Sequence, residues 1–483
     1  MHWTLRVKRV ILFIMIAIKK DCFCRLIFKV IAVFLLPCFL VSEGLAMTLQ
    51  QERELGEKVL QEVRSRWPLV QDRSVNEYIS RIGKRIFQKI EPQPFHYRFF
   101  VLNTPDVNAF AVPGGLVFIN SGLILLVESE DELAGVICHE IGHVAARHIA
   151  KQSEKGQKLS LAALGAIIAA IFVGGQAAGA LTTATMAASQ TAMLKYSRED
   201  EEEADYLGLK FMRQAGYDPH GMLTMLKKFR RISGPAFSDP PAYLLTHPAP
   251  EERIADLEIQ LVRYPQENSV PKATGNLARI QSKLVAQEKD IARSVTYFEN
   301  WLKRKPDDPE AYFGLGLAQK RMGVLDRAIE NFSKAASLAP EDGEIYRELG
   351  TAYLLKANLA EARKNLERAR ALSPSDALTS FSLGRVYAEQ KLADDALQAF
   401  LRAKELNPSL PEIDYHLGMA YGAKGMLGPA YQSFGYYYKS KGDPKTAWVH
   451  FNKALPYFSE NAPERQAIQK QIQDLSPQNK GTH

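Results

Sequence analysis

Pro306, Pro340, Pro374 and Pro408 recur at intervals of 34 residues, and so do Gly316, Gly350, Gly384 and Gly418. Ala328, Ala362, Ala396 and Ala430 keep the same interval, and Tyr353, Tyr387 and Tyr421 hold their register. A fixed period of this length means one supersecondary unit used again and again. Such a unit cannot bury its apolar face alone, so it stacks on its neighbours and builds a solenoid. Small residues at fixed positions let paired helices approach, and proline closes each unit. Three units are clear, at 308–341, 342–375 and 376–409, and a fourth begins at Leu410. Ser294 and Phe298 suggest a degenerate unit before them, and Gly442 to Ala454 a shortened last one.

This period and these positions resemble tetratricopeptide repeats. The resemblance implies an all-α solenoid over residues 266–483, with a concave groove that holds a partner. A mere spacer is the rival reading.

The chemistry lies upstream. His139-Glu140-Ile141-Gly142-His143 reads H-E-x-x-H. On a helix, positions i and i+4 share a face, so His139 and His143 can aim their imidazoles at one ion. Glu140 sits where it could hold a water rather than the metal. Asp131 and Glu132 place negative charge near a helix start, and Leu133, Val136, Ile137 and Val144 form an apolar stripe. The competing reading is a helix with two surface histidines. Glu201 and Asp205 are again i and i+4, within a run that begins at Ser197. A carboxylate from a second helix would complete a His₂Glu zinc site, one ion per chain, with the fourth position left for water. Asp205 would take the outer N–H of a ligand histidine and fix its tautomer. Alternatively, the acidic run is a solvated helix start.

H-E-x-x-H followed by S-R-x-x-E-x-E-A-D resembles the gluzincin peptidases that include the CAAX prenyl endopeptidases and the HtpX-like heat-shock proteases. Asn108 to Gly115 and Val117 to Leu123 resemble the strand region of the same family. The similarity covers roughly residues 50–260, and the repeat tail points to the periplasmic branch. By this resemblance Glu201 is the third ligand. The implied fold is α+β, mostly helical with a small sheet, over residues 47–265, followed by the solenoid. The implied activity is that of a zinc endopeptidase with Glu140 as general base and acid. Its implied role is quality control of misassembled outer-membrane β-barrel proteins, and assistance in their assembly, with those proteins or their assembly machinery as partners of the groove. Two rivals are an adaptor acting mainly through the repeats and an inactive metal-binding scaffold.

Other positions are weighed on the same footing. Tyr97 to Leu102 and Leu116 to Asn120 read as strands. Phe118, Ile119 and Asn120, at the end of the second, are candidates for pairing with extended substrate. Pro248 biases His247 toward extended geometry. The family carries a similar His-Pro…Arg segment near the site, so His247 is a candidate regulatory group on the open position, or a substrate contact. His148 would lie well off the ligand face of a continuous helix and is read as structural.

The formal charge of +7 is concentrated at the N-terminus, and residues 47–483 hold 54 basic against 52 acidic side chains. No nucleic-acid footprint is expected from that balance. Leu26 to Val41, preceded by Lys19, Lys20 and Arg25 and followed by Gly44-Leu45-Ala46, reads as an export signal cleaved after Ala46. A second apolar run, Val10 to Ile18, raises Met15 as an alternative start. Only Cys138 of the four cysteines lies beyond the signal, so no internal disulfide is expected. Residues 159–194 are apolar, then rich in Ala, Gly and Thr. They read as a lid-like hairpin, with peripheral membrane contact as a second reading.

Overall fold

The computed structural model describes residues 47–154, 196–233, 241–248, 250–263 and 275–476. Residues 1–46, read above as an export signal, and 159–194, read as a lid-like hairpin, lie outside the described residues. The chain forms two compact units, one ending at Gly275 and one beginning at Asn276. Among the described residues no helix is long and apolar enough to cross a membrane.

The first unit opens with α1 (Leu49–Arg66) and α2 (Arg73–Phe87). Each has a side-chain cap: Thr48 in a capping box with Gln51, and Asp72 on the amides of Ser74 and Val75. A three-stranded sheet follows, β1 (Arg98–Leu102), β2 (Ala109–Val112) and β3 (Leu116–Asn120). The sequence reading located β1 and β3 and missed β2. The turn from β2 to β3 runs through Gly114 and Gly115, both at positive φ, a backbone that side chains resist.

The sheet order is β1-β3-β2, with β1 parallel and β2 antiparallel to β3. This corrects one expectation. Phe118, Ile119 and Asn120 sit on the central strand, both of whose edges are already paired, and every residue of β3 is buried. No ladder positions remain there for a substrate. The edge strands are β1 and β2.

Five helices carry or support the chemistry: α4 (Glu130–Ala145), α5 (His148–Glu154), α6 (Arg198–Ala215), α8 (Ala242–Thr246) and α9 (Pro250–Leu261), with α3 (Ser121–Leu126) and α7 (His220–Ile232) between. Ser129 caps α4, and Glu130, Asp131 and Glu132 fill its first turn, where carboxylates suit the helix dipole. Ser197 and Asp200 form a capping box on α6, and Gly216 ends it at φ 73°. The α4 and α6 helices pack tightly because Gly142 lies against the Ala204 backbone: a Cβ at Gly142 would come within 2.8 Å of the Ala204 oxygen. Cys138 is buried and free on α4.

The second unit is six helix pairs: α10 (Leu277–Ala286) with α11 (Ile291–Arg304), α12 (Pro309–Arg321) with α13 (Leu325–Leu338), α14 (Gly343–Leu355) with α15 (Leu359–Leu372), α16 (Ala377–Glu389) with α17 (Ala393–Leu406), α18 (Pro411–Ala423) with α19 (Leu427–Ser440), and α20 (Pro444–Ala454) with α21 (Pro463–Leu475). The period has a steric cause. Gly316, Gly350, Gly384 and Gly418 face Phe332, Leu366, Phe400 and Phe434 of the second helix, where a Cβ would fall within 2.7 Å. Asp308, Asp342 and Asp376 cap successive first helices. The degenerate unit is real: Ser294 and Phe298 are fully buried on α11.

A belt of buried charge crosses the first helices of this unit. Arg279 binds Glu310 at 2.6 and 2.9 Å, Asp342 at 2.7 Å and Glu344 at 3.0 Å. Arg347 binds Glu344 at 2.7 Å, Glu348 at 3.0 Å and Asp376 at 2.8 Å. Lys283 pairs with Glu344, and Lys320 with Glu348.

Candidate metal centre

His139 and His143, one turn apart on α4, meet Glu201 from the first turn of α6 and His247 from the residue that ends α8. One donor atom from each lies within 4.8 Å of the others, and all four residues are buried. The two ligand helices cross at Gly142, so the close approach described above is what brings Glu201 within reach. His139 Nε2 is 3.5 Å and His143 Nε2 3.4 Å from the Glu201 carboxylate.

Outer contacts orient these groups. His139 Nδ1 donates to Asp205 at 2.8 Å, which turns the lone pair of Nε2 inward. Arg253, on α9, grips Asp205 with two bonds of 2.7 Å and also meets Glu201. His143 Nδ1 lies 2.8 Å from His148, whose Nε2 reaches Glu203 at 3.1 Å. The placement of His148 differs from the helical-phase expectation, because the helix breaks at Arg147, which takes φ 56°, and α5 starts afresh at His148. Arg147 is held in that strained conformation by Glu52 on α1, at 2.8 Å. Tyr196 stacks on His143 at 3.8 Å, and its amide binds the carbonyl of Thr246, beside His247. Tyr243 stacks on His247 at 4.3 Å.

Sequence reasoning held Arg253 only as the end of the His-Pro…Arg segment expected near the site, without a role, and missed Tyr196 and Tyr243. Two signals were there. Arg253 stands near the start of a helix whose first turn carries Glu251 and Glu252, where a cation opposes the dipole. Tyr196 precedes a capping box with Glu201, not an apolar residue, at the position that a hydrophobic staple would use.

The electrostatics suit a cation. Glu140, Glu201 and Asp205 set three carboxylates against the single guanidinium of Arg253, which leaves two negative charges when the histidines are neutral. His139 Nε2 and His143 Nε2 face each other at 3.0 Å, an arrangement that suits two ligand nitrogens better than two neutral imidazoles. Glu140 is fully buried, and its oxygens make no close hydrogen bond to a described residue. His247 Nε2 is 3.5 Å from it, and the Ala111 backbone of edge strand β2 faces it.

Burial pushes the Glu140 carboxyl up and the His143 imidazole well below its usual range. Burial also opposes ionisation of Glu201, yet Arg253 and His247 hold its carboxyl far below the ordinary value. Burial and Arg253 oppose a proton on His139, but Asp205 and Glu201 override them and raise its pKa to about 9. The field that would hold that proton would equally hold a metal cation. Buried nitrogen and carboxylate donors, two inward-facing imidazoles and three carboxylates beside one guanidinium suit the donor set of a zinc site.

Comparison with known proteins agrees with this geometry. The model of "Peptidase family M48" matches residues 73–260, and that of "Tetratricopeptide repeat" matches 283–343, 318–376 and 347–411. The beta-barrel assembly-enhancing protease of Escherichia coli (strain K12) is 35% identical over 228 residues, 46% of each chain. A putative beta-barrel assembly-enhancing protease of Vibrio cholerae is 32% identical over 305 residues, 61% of each. The mitochondrial metalloendopeptidase OMA1 of Schizosaccharomyces pombe is 33% identical over 181 residues, 38% of this chain and 51% of that one. The matched stretch spans about half the length of the first of these relatives. The chain therefore carries a peptidase family M48 domain followed by tetratricopeptide repeats.

Proposed function

We propose that this chain is an exported zinc endopeptidase of the periplasm whose repeats hold polypeptide partners, and that it degrades misassembled outer-membrane β-barrel proteins and assists their assembly. The observation that carries the peptidase reading is the buried cluster of His139, His143 and Glu201, with more carboxylates than cations around it and Glu140 left without a close partner. The names of the relatives motivate the periplasmic and β-barrel part.

Zinc held by His139, His143 and Glu201 would supply Lewis acidity to a peptide carbonyl and to water. Glu140 takes a proton from the attacking water at its carboxylate and returns it to the leaving amine. Burial favours the protonated form of Glu140, which brings its pKa closer to what a proton shuttle needs near neutral pH. Asp205 and Arg253 fix the tautomer of His139. The outer edge of β2, whose Ala111 backbone faces Glu140, is the candidate for pairing with extended substrate, in place of Phe118, Ile119 and Asn120. In this reading His247 keeps the resting site closed: its Nδ1 lies 2.9 Å from Glu201, among the clustered donor atoms, where it would take the place of water beside the metal that His139, His143 and Glu201 would hold. The loop that carries it is tied down by the Tyr196–Thr246 bond and by Tyr243, so opening requires those contacts to part.

Metal analysis of the purified mature protein, combined with casein cleavage by wild type and Glu140→Gln, tests the reading. Stoichiometric zinc in both and cleavage only by wild type are expected. Full cleavage by Glu140→Gln would overturn the mechanism.

A further inference from the structure

The first helices of the repeats divide into two zones. On α10, α12 and α14 every buried cation named above has its carboxylates, as the Arg279 and Arg347 networks show. On α16, α18 and α20 the character changes. Phe381, Tyr415 and Trp448 are each the fifth residue of their helix, so they occupy equivalent positions on three successive units. The same position on α14 is Arg347. Leu378 and Met419 extend the apolar surface, and Tyr415, Trp448 and Met419 are 38, 40 and 55% exposed. Phe381 touches His416 of the next unit at 5.1 Å, so the aromatic surface crosses from α16 to α18, and Tyr415 touches Tyr437 of its own unit at 5.2 Å.

One cation sits in this zone without an anion. Arg385 is half-buried on α16, one turn beyond Phe381, and its charge bears on the His416 ring. It has no ion pair and no hydrogen-bond partner among the described residues. The nearby Glu412 is engaged by Lys441 at 2.8 Å. A half-buried guanidinium one turn from Phe381, with no anion among the described residues, can take a planar anion with two hydrogen bonds.

We propose that this face binds an unfolded polypeptide segment bearing apolar or aromatic side chains and one carboxylate, with the carboxylate on Arg385 and the side chains along Phe381, Tyr415 and Trp448. The proposal deepens the partner-holding role given to the repeats above and rests on it. The carboxylate can come from a chain terminus or from an acidic side chain, and the experiment separates the two.

The test uses full-length Glu140→Gln protein, so that binding is read without cleavage. Three short fluorescein-labelled peptides alternate Tyr or Val with Ser: one with a free C-terminus, one amidated, and one amidated with a single internal Glu. Fluorescence anisotropy gives each affinity. Arg385→Gln is expected to weaken the carboxylate-bearing peptide by roughly tenfold or more while leaving the amidated, uncharged peptide unchanged. Arg385→Lys should recover part of the loss. Trp448→Ala and Tyr415→Ala should weaken all three. Preference for the free terminus or for the internal Glu identifies the source. No binding of any peptide, or equal losses for charged and uncharged peptides in Arg385→Gln, would overturn the proposal. So would a dimer in sedimentation that Trp448→Ala dissociates and peptide does not, since the face would then belong to a second copy. Because binding is scored in an uncleaving protein, failure here is distinct from failure of the peptidase reading.

Discussion

The repeat belt and the metal-site cluster bury ionisable groups in opposite ways. In the repeats, Arg279 and Arg347 are buried, and each meets three carboxylates at 2.6–3.0 Å. In the peptidase unit, Glu140 is buried with no close partner, and two imidazole nitrogens face each other at 3.0 Å. A buried charge is costly unless matched. The matched belt is self-sufficient and needs only its own fold. The unmatched cluster is complete only with a dication and a water, neither of which the chain itself can supply. The same polar residue types thus mark architecture in one unit and chemistry in the other, and the satisfaction of each group tells them apart.

The comparison can be broken first at Glu140. Glu140→Gln removes the proton carrier but keeps the shape, so cleavage of casein should fall by roughly 10²–10⁴-fold with zinc content unchanged. If the belt is purely architectural, Arg347→Ala should do the reverse. It takes the Arg347 ion pair from Asp376 and one cation each from Glu344, which keeps Arg279 and Lys283, and Glu348, which keeps Lys320; it should cost about 3 kcal/mol of stability in urea unfolding, with the casein rate per folded molecule unaltered. A drop in specific activity there would blur the line between the units.

His247→Ala sharpens the comparison from within the site. Casein cleavage and self-cleavage should rise severalfold, because the competing imidazole is gone. A uniform fall would make His247 a substrate contact instead. The smallest effect concerns pH. Burial works against ionisation of Glu348, but Lys320 and Arg347 outweigh it and hold its pKa at about 2, below the ordinary carboxylate value. A depressed carboxylate stabilises the fold above its unfolded pKa, and that contribution is lost as pH falls through the folded one. The repeats should therefore melt at progressively lower temperature between about pH 4.5 and 2, and Glu348→Gln should flatten that slope.

What the sequence revealed follows from locality. The i, i+4 pairs His139/His143 and Glu201/Asp205, and the 34-residue period, are set by helix geometry, which a linear pattern records directly. The position of β3 was not legible, because the alternation of residues shows that a strand exists but not which neighbours take its edges. Leu116 to Asn120 looks the same in sequence whether central or marginal. His148 was misplaced in phase because Arg147, neither glycine nor proline, breaks the helix through a distant partner, Glu52. Arg253 and Tyr196 belong to the site through contacts spanning tens of residues; the His-Pro…Arg resemblance pointed to the neighbourhood of the first, and only a weak local oddity marked the second.

The central claim is that the unmatched cluster belongs to a dication while the matched belt does not. Hydrogen exchange on the full-length protein, with and without a zinc chelator, tests it in one measurement. Removing bound zinc should raise exchange in 130–145 and 198–215, whose buried carboxylates and imidazoles lose their counter-charge, and leave 343–355 unchanged. A protein that carries no metal as purified, or that shows the same protection in 130–145 with and without chelator, would contradict the account.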